Sequence, residues 1–211
     1  MQKNHKKLRF TAKLIAYSAV CTAIVTALTL CGFSSSAFYF NLGDAAILIS
    51  SAIFGPVVGA ICGGLGSFFA DLAVYPATML YTLVIKGAEG LIAGTLVTLF
   101  RKKIKNKPAQ VSLSAAALAF SAFFMMTGYF VCQTFFYGTK ASALVALPMD
   151  AVQASVSFAV AFVVLYPINS VIPISPICSR SFNFLRSVRS SLPFGSLSRL
   201  RASRSKLCLK V

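Results

Sequence analysis

Residues 43–73 read GDAAILISSAIFGPVVGAICGGLGSFFADLA, a long apolar run with one acidic residue near each end. We expect this run to break at Gly55-Pro56, because proline removes a helix hydrogen bond and glycine relaxes the backbone. The part before the break, residues 43–54, would extend only about 18 Å as a helix. That length is shorter than the hydrocarbon core of a bilayer, which is about 30 Å thick. The sequence therefore predicts a short or tilted helix here, which the rest of the protein must shield.

The whole chain has the composition of a membrane protein. Of its residues 57% are hydrophobic and 11% are charged, whereas a soluble domain carries roughly 25% charged residues. The first apolar segment would extend about 34 Å as a helix, so we interpret it as a retained transmembrane helix and not as the shorter core of a secretory signal. Together the apolar segments predict six membrane helices, at residues 10–32, 43–54, 57–73, 80–100, 111–133 and 146–172.

The basic residues predict the orientation of the chain. A net charge of +16 invites a nucleic-acid partner, but the Lys and Arg residues stand between or beyond the apolar runs, which is the pattern of an inner (cell) membrane protein. We therefore predict no nucleic-acid partner and place both termini in the cytoplasm. The basic clusters lie at residues 3–13, 101–107 and 180–210. The loops expected outside the cell are 33–42, 74–79 and 134–145.

All four acidic residues lie in or at the ends of apolar segments. A charged group inside a membrane is costly, so such residues usually face a cavity and a partner. In the predicted arrangement these acids and three other polar residues, contributed by five helices, all fall in the outer half of the membrane. Their shared depth predicts a polar pocket that opens to the outside. The residues are Asp44, Asp71, Lys86, Glu89, Gln133, Asp150 and Gln153.

Each of these groups also has a simpler interpretation. Asp44 and Asp150 each stand in the first turn of a predicted helix, where a carboxylate is favourable. Lys86 and Glu89 are spaced i, i+3 on one helix and would neutralise each other. Asp71 would be solvated in the headgroup region. The pocket hypothesis therefore depends on the common depth of the residues and not on any one of them.

Small residues recur at four-residue spacing on three predicted helices. Such stripes let helices approach closely in lipid. We interpret the glycine stripes, Gly55-Gly59-Gly63 and Gly90-Gly94, as internal packing positions. For the alanine stripe of the first helix, internal packing and docking of another protein are both open. That stripe comprises Ala19, Ala23 and Ala27.

The sequence contains no pattern typical of a metal or cofactor site. The six cysteines are scattered without a CxxC pair, and the single histidine, His5, lies in the basic N-terminus. Zinc sites and disulfide frameworks need clustered spacing. We therefore predict no metal site and no cofactor.

The last part of the chain differs in character from the rest. Residues 173–211 are rich in Ser and Arg and contain no acidic residue. This composition predicts a disordered cytoplasmic tail that lies on anionic lipid headgroups. The expected organisation is a membrane domain over 1–172 followed by this tail.

Several short strings, taken in order, are typical of one family of membrane proteins. They are FNLGDAAIL at 40–48, FGPVVGAICGGLGS at 54–67, ADL at 70–72, VIKGAEGLIAG at 84–94, GYF at 128–130, FFYG at 135–138 and PMDAVQ at 148–153. Over about residues 10–170 this order resembles the substrate-binding (S) components of energy-coupling-factor (ECF) vitamin transporters, in particular the riboflavin-transporter-like branch.

The resemblance implies an all-α, polytopic membrane protein, a six-transmembrane-helix bundle of the ECF S-component type that is not an enzyme. Such a component binds a vitamin or vitamin precursor from outside, and two ABC-type ATPases with a transmembrane coupling subunit drive transport. In the family, alanine stripes on the first helix contact the coupling subunit, which assigns that role to Ala19, Ala23 and Ala27. The substrate-binding residues then expected are Asn41, Asp44, Asp71, Lys86, Glu89, Tyr129, Gln133, Asp150 and Gln153.

The sequence leaves the identity of the ligand open. Pyrimidine or pyridine vitamers and riboflavin all agree with the resemblance. The excess of carboxylates over Lys86 suits a cation or a heterocycle rich in hydrogen-bond donors. The family often has Asn where this chain has Asp150, so the polarity of the ligand is open as well.

Two other classes of function are alternatives. A polytopic membrane enzyme would use Asp71, Glu89 or Asp150 as an acid or base, but the predicted spans contain no His, metal cluster or nucleophile motif. A purely structural membrane subunit would leave the converging acidic residues unexplained.

Overall fold

The computed structural model describes residues 2–34, 39–137 and 140–171. Within these ranges the chain forms six α-helices, one antiparallel β-hairpin and one short π-helix. In chain order they are α1 (Gln2–Leu30), β1 (Phe33–Ser34), β2 (Tyr39–Phe40), α2 (Gly43–Phe54), α3 (Pro56–Val74), α4 (Met79–Lys103), α5 (Lys107–Cys132), the π-helix (Gln133–Tyr137) and α6 (Lys140–Val171).

The described helices form a membrane bundle. Five of them, α1, α3, α4, α5 and α6, are long and apolar enough to cross a membrane, and α2 is shorter. Their outward faces carry large apolar side chains such as Val84, Phe123 and Val163, which suits contact with lipid. The predicted all-α bundle is thereby confirmed for the part of the chain that the structure describes.

Helix α2 is enclosed by the bundle, as its short length requires. Most of its residues are buried. Leu48 and Ala52 pack against α4, α5 and α6, whereas Ala46 and Ile47 pack against α1 and α3. Protein therefore surrounds the polar backbone ends that a half-length helix would otherwise expose to lipid.

The break between α2 and α3 falls at the predicted Gly55-Pro56 pair. Gly55 has a φ of 94°, in the left-handed region that glycine adopts without steric cost. Pro56 begins α3, a position where the missing N–H has no helical partner to lose.

Beyond the break, α3 and α4 run so close together that their glycine stripes face each other. A Cβ added to Gly59 would lie 2.6 Å from the carbonyl oxygen of Gly90. A Cβ on Gly63 would lie 2.5 Å from the carbonyl oxygen of Lys86. The glycine stripes are thus internal packing positions, as the sequence indicated.

We expect Gly90→Ala to destabilise the bundle. Its Cβ would lie 2.1 Å from the carbonyl oxygen of Gly59, a backbone atom that no side-chain rotation can move aside. Overpacking of this kind costs about 1–3 kcal/mol and should lower the midpoint of thermal unfolding in detergent. Gly87→Ala is the matched control on the same helix, because its Cβ would lie 3.4 Å from the nearest atom, the carbonyl oxygen of Ala60. Equal midpoints for the two variants would contradict this packing.

The structure differs from the sequence prediction at the start of the sixth helix. A loop was expected over 134–145, but the π-helix covers Gln133–Tyr137 and α6 already begins at Lys140. The loop prediction is wrong here because residues 141–147 are mostly Ala, Leu and Val, which continue a helix inside a bundle. Pro148 stands within α6, where neighbouring groups in a membrane bundle can satisfy the freed carbonyl.

Two other expectations concern the ends of the bundle. The predicted loop 33–42 contains the β-hairpin, in which Phe33 pairs with Phe40 and Ser34 with Tyr39. The predicted tail over 173–211 lies outside the described residues, so the division of the chain into a membrane domain and a tail stays a prediction.

Candidate ligand-binding site

A cavity of about 290 Å³ lies near one end of the bundle. We call this end the hairpin end, because α1 ends and α2 begins there on either side of the β-hairpin. Helices α3 and α5 also end at this side, and α4 and α6 begin there. Each of the six described helices contributes at least one side chain to the cavity wall.

An ion pair between helices forms the deep part of the cavity. Lys86 Nζ on α4 makes a salt bridge with Asp44 Oδ1 on α2. Gln153 on α6 donates a hydrogen bond from Nε2 to the other oxygen, Asp44 Oδ2, at 2.8 Å. All three side chains are buried. Mutual pairing and hydrogen bonding therefore offset part of the cost of holding these charges away from water.

The segment before α2 is fixed to the same network. The backbone N–H of Asn41 donates to Gln153 Oε1 at 3.3 Å. The side-chain Oδ1 of Asn41 accepts a hydrogen bond from the Gly43 N–H at 2.8 Å, which is a turn typical of asparagine. Asn41 thus orders the start of α2, while the carboxylate of Asp44 bonds to other helices.

Glu89 lies behind the network and is not part of the cavity wall. Its Oε2 is 3.7 Å from Lys86 Nζ, and its side chain is fully buried. Within the described residues neither carboxylate oxygen of Glu89 has a hydrogen-bond partner. Lys86 therefore stands between two carboxylates, and the closer one belongs to Asp44 on a different helix. A direct contact between Glu89 and a ligand stays a prediction.

Two tyrosines contribute aromatic surface to the cavity. Lys86 Nζ lies 5.3 Å from the ring centroid of Tyr129, within the range of a cation–π interaction. The Tyr129 hydroxyl is 3.3 Å from Thr82 Oγ1 and donates to it. Tyr81 packs edge-on against Tyr129, with ring centroids 5.8 Å apart and planes at 80°. Both rings line the cavity, so they offer a surface for a flat heterocycle.

Two further carboxylates line the cavity closer to the hairpin end. Asp71, near the end of α3, accepts a hydrogen bond from Thr78 Oγ1 at 2.8 Å. Asp150 lies about one turn before Gln153 on α6 and is half-buried. Within the described ranges Asp150 makes no hydrogen bond or ion pair. The earlier start of α6 places Asp150 roughly three turns into the helix and not in its first turn, so a helix-end role does not explain it.

Sequence reasoning missed several residues of the cavity wall. Ser67, Thr78 and Thr82 all line the cavity. Each is separated by four or eight positions from a predicted site residue. Ser67 precedes Asp71 by four, and Thr82 and Thr78 precede Lys86 by four and eight. Polar residues repeated at this spacing on an apolar helix share one face. That repeat is the signal that would have found them.

Comparison with known proteins agrees with this architecture. The sequence model of the family described as "ECF-type riboflavin transporter, S component" matches residues 9–170. The chain belongs to this family. The resemblance found in the sequence is confirmed, and ECF S components are transport subunits and not enzymes.

This S component also has a relative among curated proteins. A protein of Pyrococcus woesei described as "Uncharacterized protein in gap 3'region" is 45% identical over 71 residues. The aligned part is 34% of this chain and 48% of the relative. The chain therefore spans about half the length of that curated relative.

The S-component cavity brings together almost the whole predicted substrate-binding set. Glu89 alone among the predicted residues is not part of the wall. Within the part of the chain that the structure describes, no group of His, Cys, Asp and Glu side chains is placed to hold a metal ion. The predicted residues in the wall are Asn41, Asp44, Asp71, Lys86, Tyr129, Gln133, Asp150 and Gln153.

The alanine stripe of the S component lies in a separate apolar groove on the outside of the bundle. Ala19, Ala23 and Ala27 are exposed and line a groove of about 770 Å³ between α1 and α3. The opposite side of α1 packs inward through Cys21 and Val25. Packing among the described residues therefore does not account for the stripe.

Proposed function

We propose that the protein is the substrate-specific subunit of an ECF-type ABC transporter that binds a small vitamin or vitamin precursor from outside the cell. The observation that carries this proposal is the polar cavity inside an otherwise apolar bundle. Charged groups inside a membrane protein are costly and usually serve a substrate or ion. Hydrogen-bonding side chains together with aromatic surface are typical of sites for small heterocycles.

The distribution of basic residues supports a cavity that opens to the outside. Residues 101–103 at the end of α4, Lys105 in the following loop and Lys107 at the start of α5 are all basic. They lie at the end of the bundle opposite to the hairpin end. Since cytoplasmic loops of cell-membrane proteins are enriched in Lys and Arg, we place this basic end and both termini in the cytoplasm.

The groove between α1 and α3 is the proposed contact for the transmembrane coupling subunit. Ala19, Ala23 and Ala27 let a partner helix approach closely. Leu65 and Phe69 of α3 form apolar walls beside them. The two ABC-type ATPases then act on this chain through the coupling subunit, because the groove lies within the lipid-facing surface.

The size of the cavity limits the ligand to a small solute. Its volume of about 290 Å³ is at the low end of the range for small-molecule pockets, which is roughly 300–1,000 Å³. Single-ring pyrimidine and pyridine vitamers suit this volume. Riboflavin, with three fused rings and a ribityl chain, is larger than these single-ring compounds.

Calorimetric binding tests this proposal on the purified full chain in detergent. We expect binding of at least one compound from a panel of riboflavin, pyridine vitamers and pyrimidine vitamers. Ala146 lines the cavity, so Ala146→Phe should fill it and abolish binding. Ala141→Phe, an exposed position on the same helix, is the matched control and should bind normally. Unchanged binding by Ala146→Phe would move the site elsewhere, and no binding by the unmodified chain would contradict the proposal.

A further inference from the structure

We propose that the cavity selects a cationic ligand, a heterocycle that carries a protonated amine or a quaternary nitrogen, and excludes phosphorylated vitamers. The inference rests on the proposed function, because it concerns the ligand of the same cavity. It follows from which charged groups of the wall are already paired and which are not.

The positive charge of the cavity wall is already paired with carboxylates. Among the described residues that line the cavity, Lys86 is the one basic side chain. It forms the salt bridge with Asp44 and lies 3.7 Å from Glu89. The deep part of the cavity thus holds one ammonium group against two carboxylates. It has no surplus positive charge to offer to an anionic ligand.

The carboxylates nearer the hairpin end form no ion pair within the described residues. Asp71 accepts a hydrogen bond from a neutral hydroxyl, that of Thr78, which brings no opposite charge. Asp150 is half-buried and has no bonding partner within the described residues. Lys140 is exposed at the start of α6, about 15 Å along the helix from Asp150 by the helical rise. That distance is far beyond the roughly 4 Å of a salt bridge.

A cation bound near Asp71 and Asp150 would supply the missing charge. Carboxylates with low-dielectric walls on several sides attract cations and repel anions more strongly than carboxylates in open water. Tyr81 and Tyr129 line the same cavity, and aromatic rings attract cations more than anions. A phosphate group in the same place would face two like charges. The geometry therefore favours a cationic ligand over a neutral one and disfavours an anionic one most.

Matched probe pairs test the charge of the ligand directly. Pyridoxamine and pyridoxine differ by an amine in place of a hydroxyl, and so do the 5-aminomethyl and 5-hydroxymethyl forms of 4-amino-2-methylpyrimidine. For whichever pair binds, calorimetry at pH 7 should show that the amine binds at least about tenfold tighter than its alcohol. An affinity ratio of this size is what a close pair of opposite charges contributes to binding. Pyridoxamine 5′-phosphate should show no measurable binding.

Three variants show which residue is responsible for the preference. Asp150→Asn should reduce the affinity ratio of amine to alcohol to roughly threefold or less, because the ratio depends on the charge pair. Lys140→Gln, which removes an exposed charge on the same helix, should leave the ratio unchanged. Three results would each overturn the inference and leave the proposed function standing. They are equal affinities within both pairs in the unmodified protein, tighter binding of riboflavin than of any amine, and an unchanged ratio in both Asp150→Asn and Asp71→Asn. If no probe binds at all, the proposed function fails and the inference fails with it.

Discussion

Lys86→Met is expected to cost this S component both its stability and its ligand binding. The substitution keeps most of the side-chain volume but removes the ammonium group that faces Asp44 and Glu89. Both carboxylates are buried and would be left without a counter-charge. Breaking a buried pair from one side costs about 3–5 kcal/mol, which is a large part of the stability of an ordinary domain. Thermal unfolding in detergent and calorimetric binding measure the two effects.

Double variants show which carboxylate is the main partner of Lys86. Asp44→Asn combined with Lys86→Met removes both charges of the closer pair and keeps an oxygen that can accept from Gln153, so part of the stability should return, although Glu89 stays buried without a counter-charge. Ligand affinity should stay low, because both residues line the cavity. Glu89→Gln combined with Lys86→Met should stay unstable, because Asp44 is still buried and unpaired. The opposite ranking of the two double variants would show that Glu89 is the main partner.

That the polar groups gather at one end of the bundle could be predicted from the sequence, because it depends mostly on local properties. Span boundaries follow from runs of apolar residues, and the side of the membrane follows from the basic clusters. Once these are set, Asp44, Asp71 and Asp150 must lie at similar depths. The structure places all three in one cavity wall. The break at Gly55-Pro56 was also predictable, since both residues act on their own backbone.

The pairing of the charges could not be predicted in the same way. Lys86 and Asp44 are 42 residues apart, and their contact depends on how α2 and α4 are rotated about their axes. Periodicity showed only the local i, i+3 pair of Lys86 and Glu89, which the structure finds at the longer distance of 3.7 Å. The rotation is set by packing, above all by the glycine contacts of α3 with α4 and the burial of α2. Packing contacts between helices of this kind leave no signature in a single sequence.

The same limit applies to the alanine stripe on α1. Spacing shows that Ala19, Ala23 and Ala27 share a face, but a shared face of small residues suits an internal seam and an external one equally. In the described part of the chain the stripe lies on the outside of the bundle, because the other side of α1 carries Cys21 and Val25 into the core. The alanine side is left exposed in a groove with α3.

Filling this groove is expected to stop transport without affecting ligand binding. In the double variant Ala19→Leu/Ala23→Leu, two large side chains would occupy the space where a helix of the coupling subunit is proposed to pack. Overpacking costs about 1–3 kcal/mol per site, so vitamin uptake by cells that also contain the coupling subunit and the ATPases should fall about tenfold or more. Neither residue lines the cavity, so the purified variant should bind ligand with unchanged affinity. Copurification with the coupling subunit should be lost in parallel with uptake.

Ala16→Leu is the matched control for this experiment. Ala16 is exposed on the same helix, does not line the groove, and shares a face with the lipid-exposed residues Val20 and Ile24. A leucine there should be tolerated by lipid, and uptake should be normal. If Ala16→Leu lowers uptake as much as the groove variant does, the effect is not specific to the groove. If the groove variant unfolds or loses ligand binding together with uptake, the stripe is an internal packing position and not a docking face. A docking groove between α1 and α3 requires that the groove variant lose uptake and copurification while it keeps ligand binding.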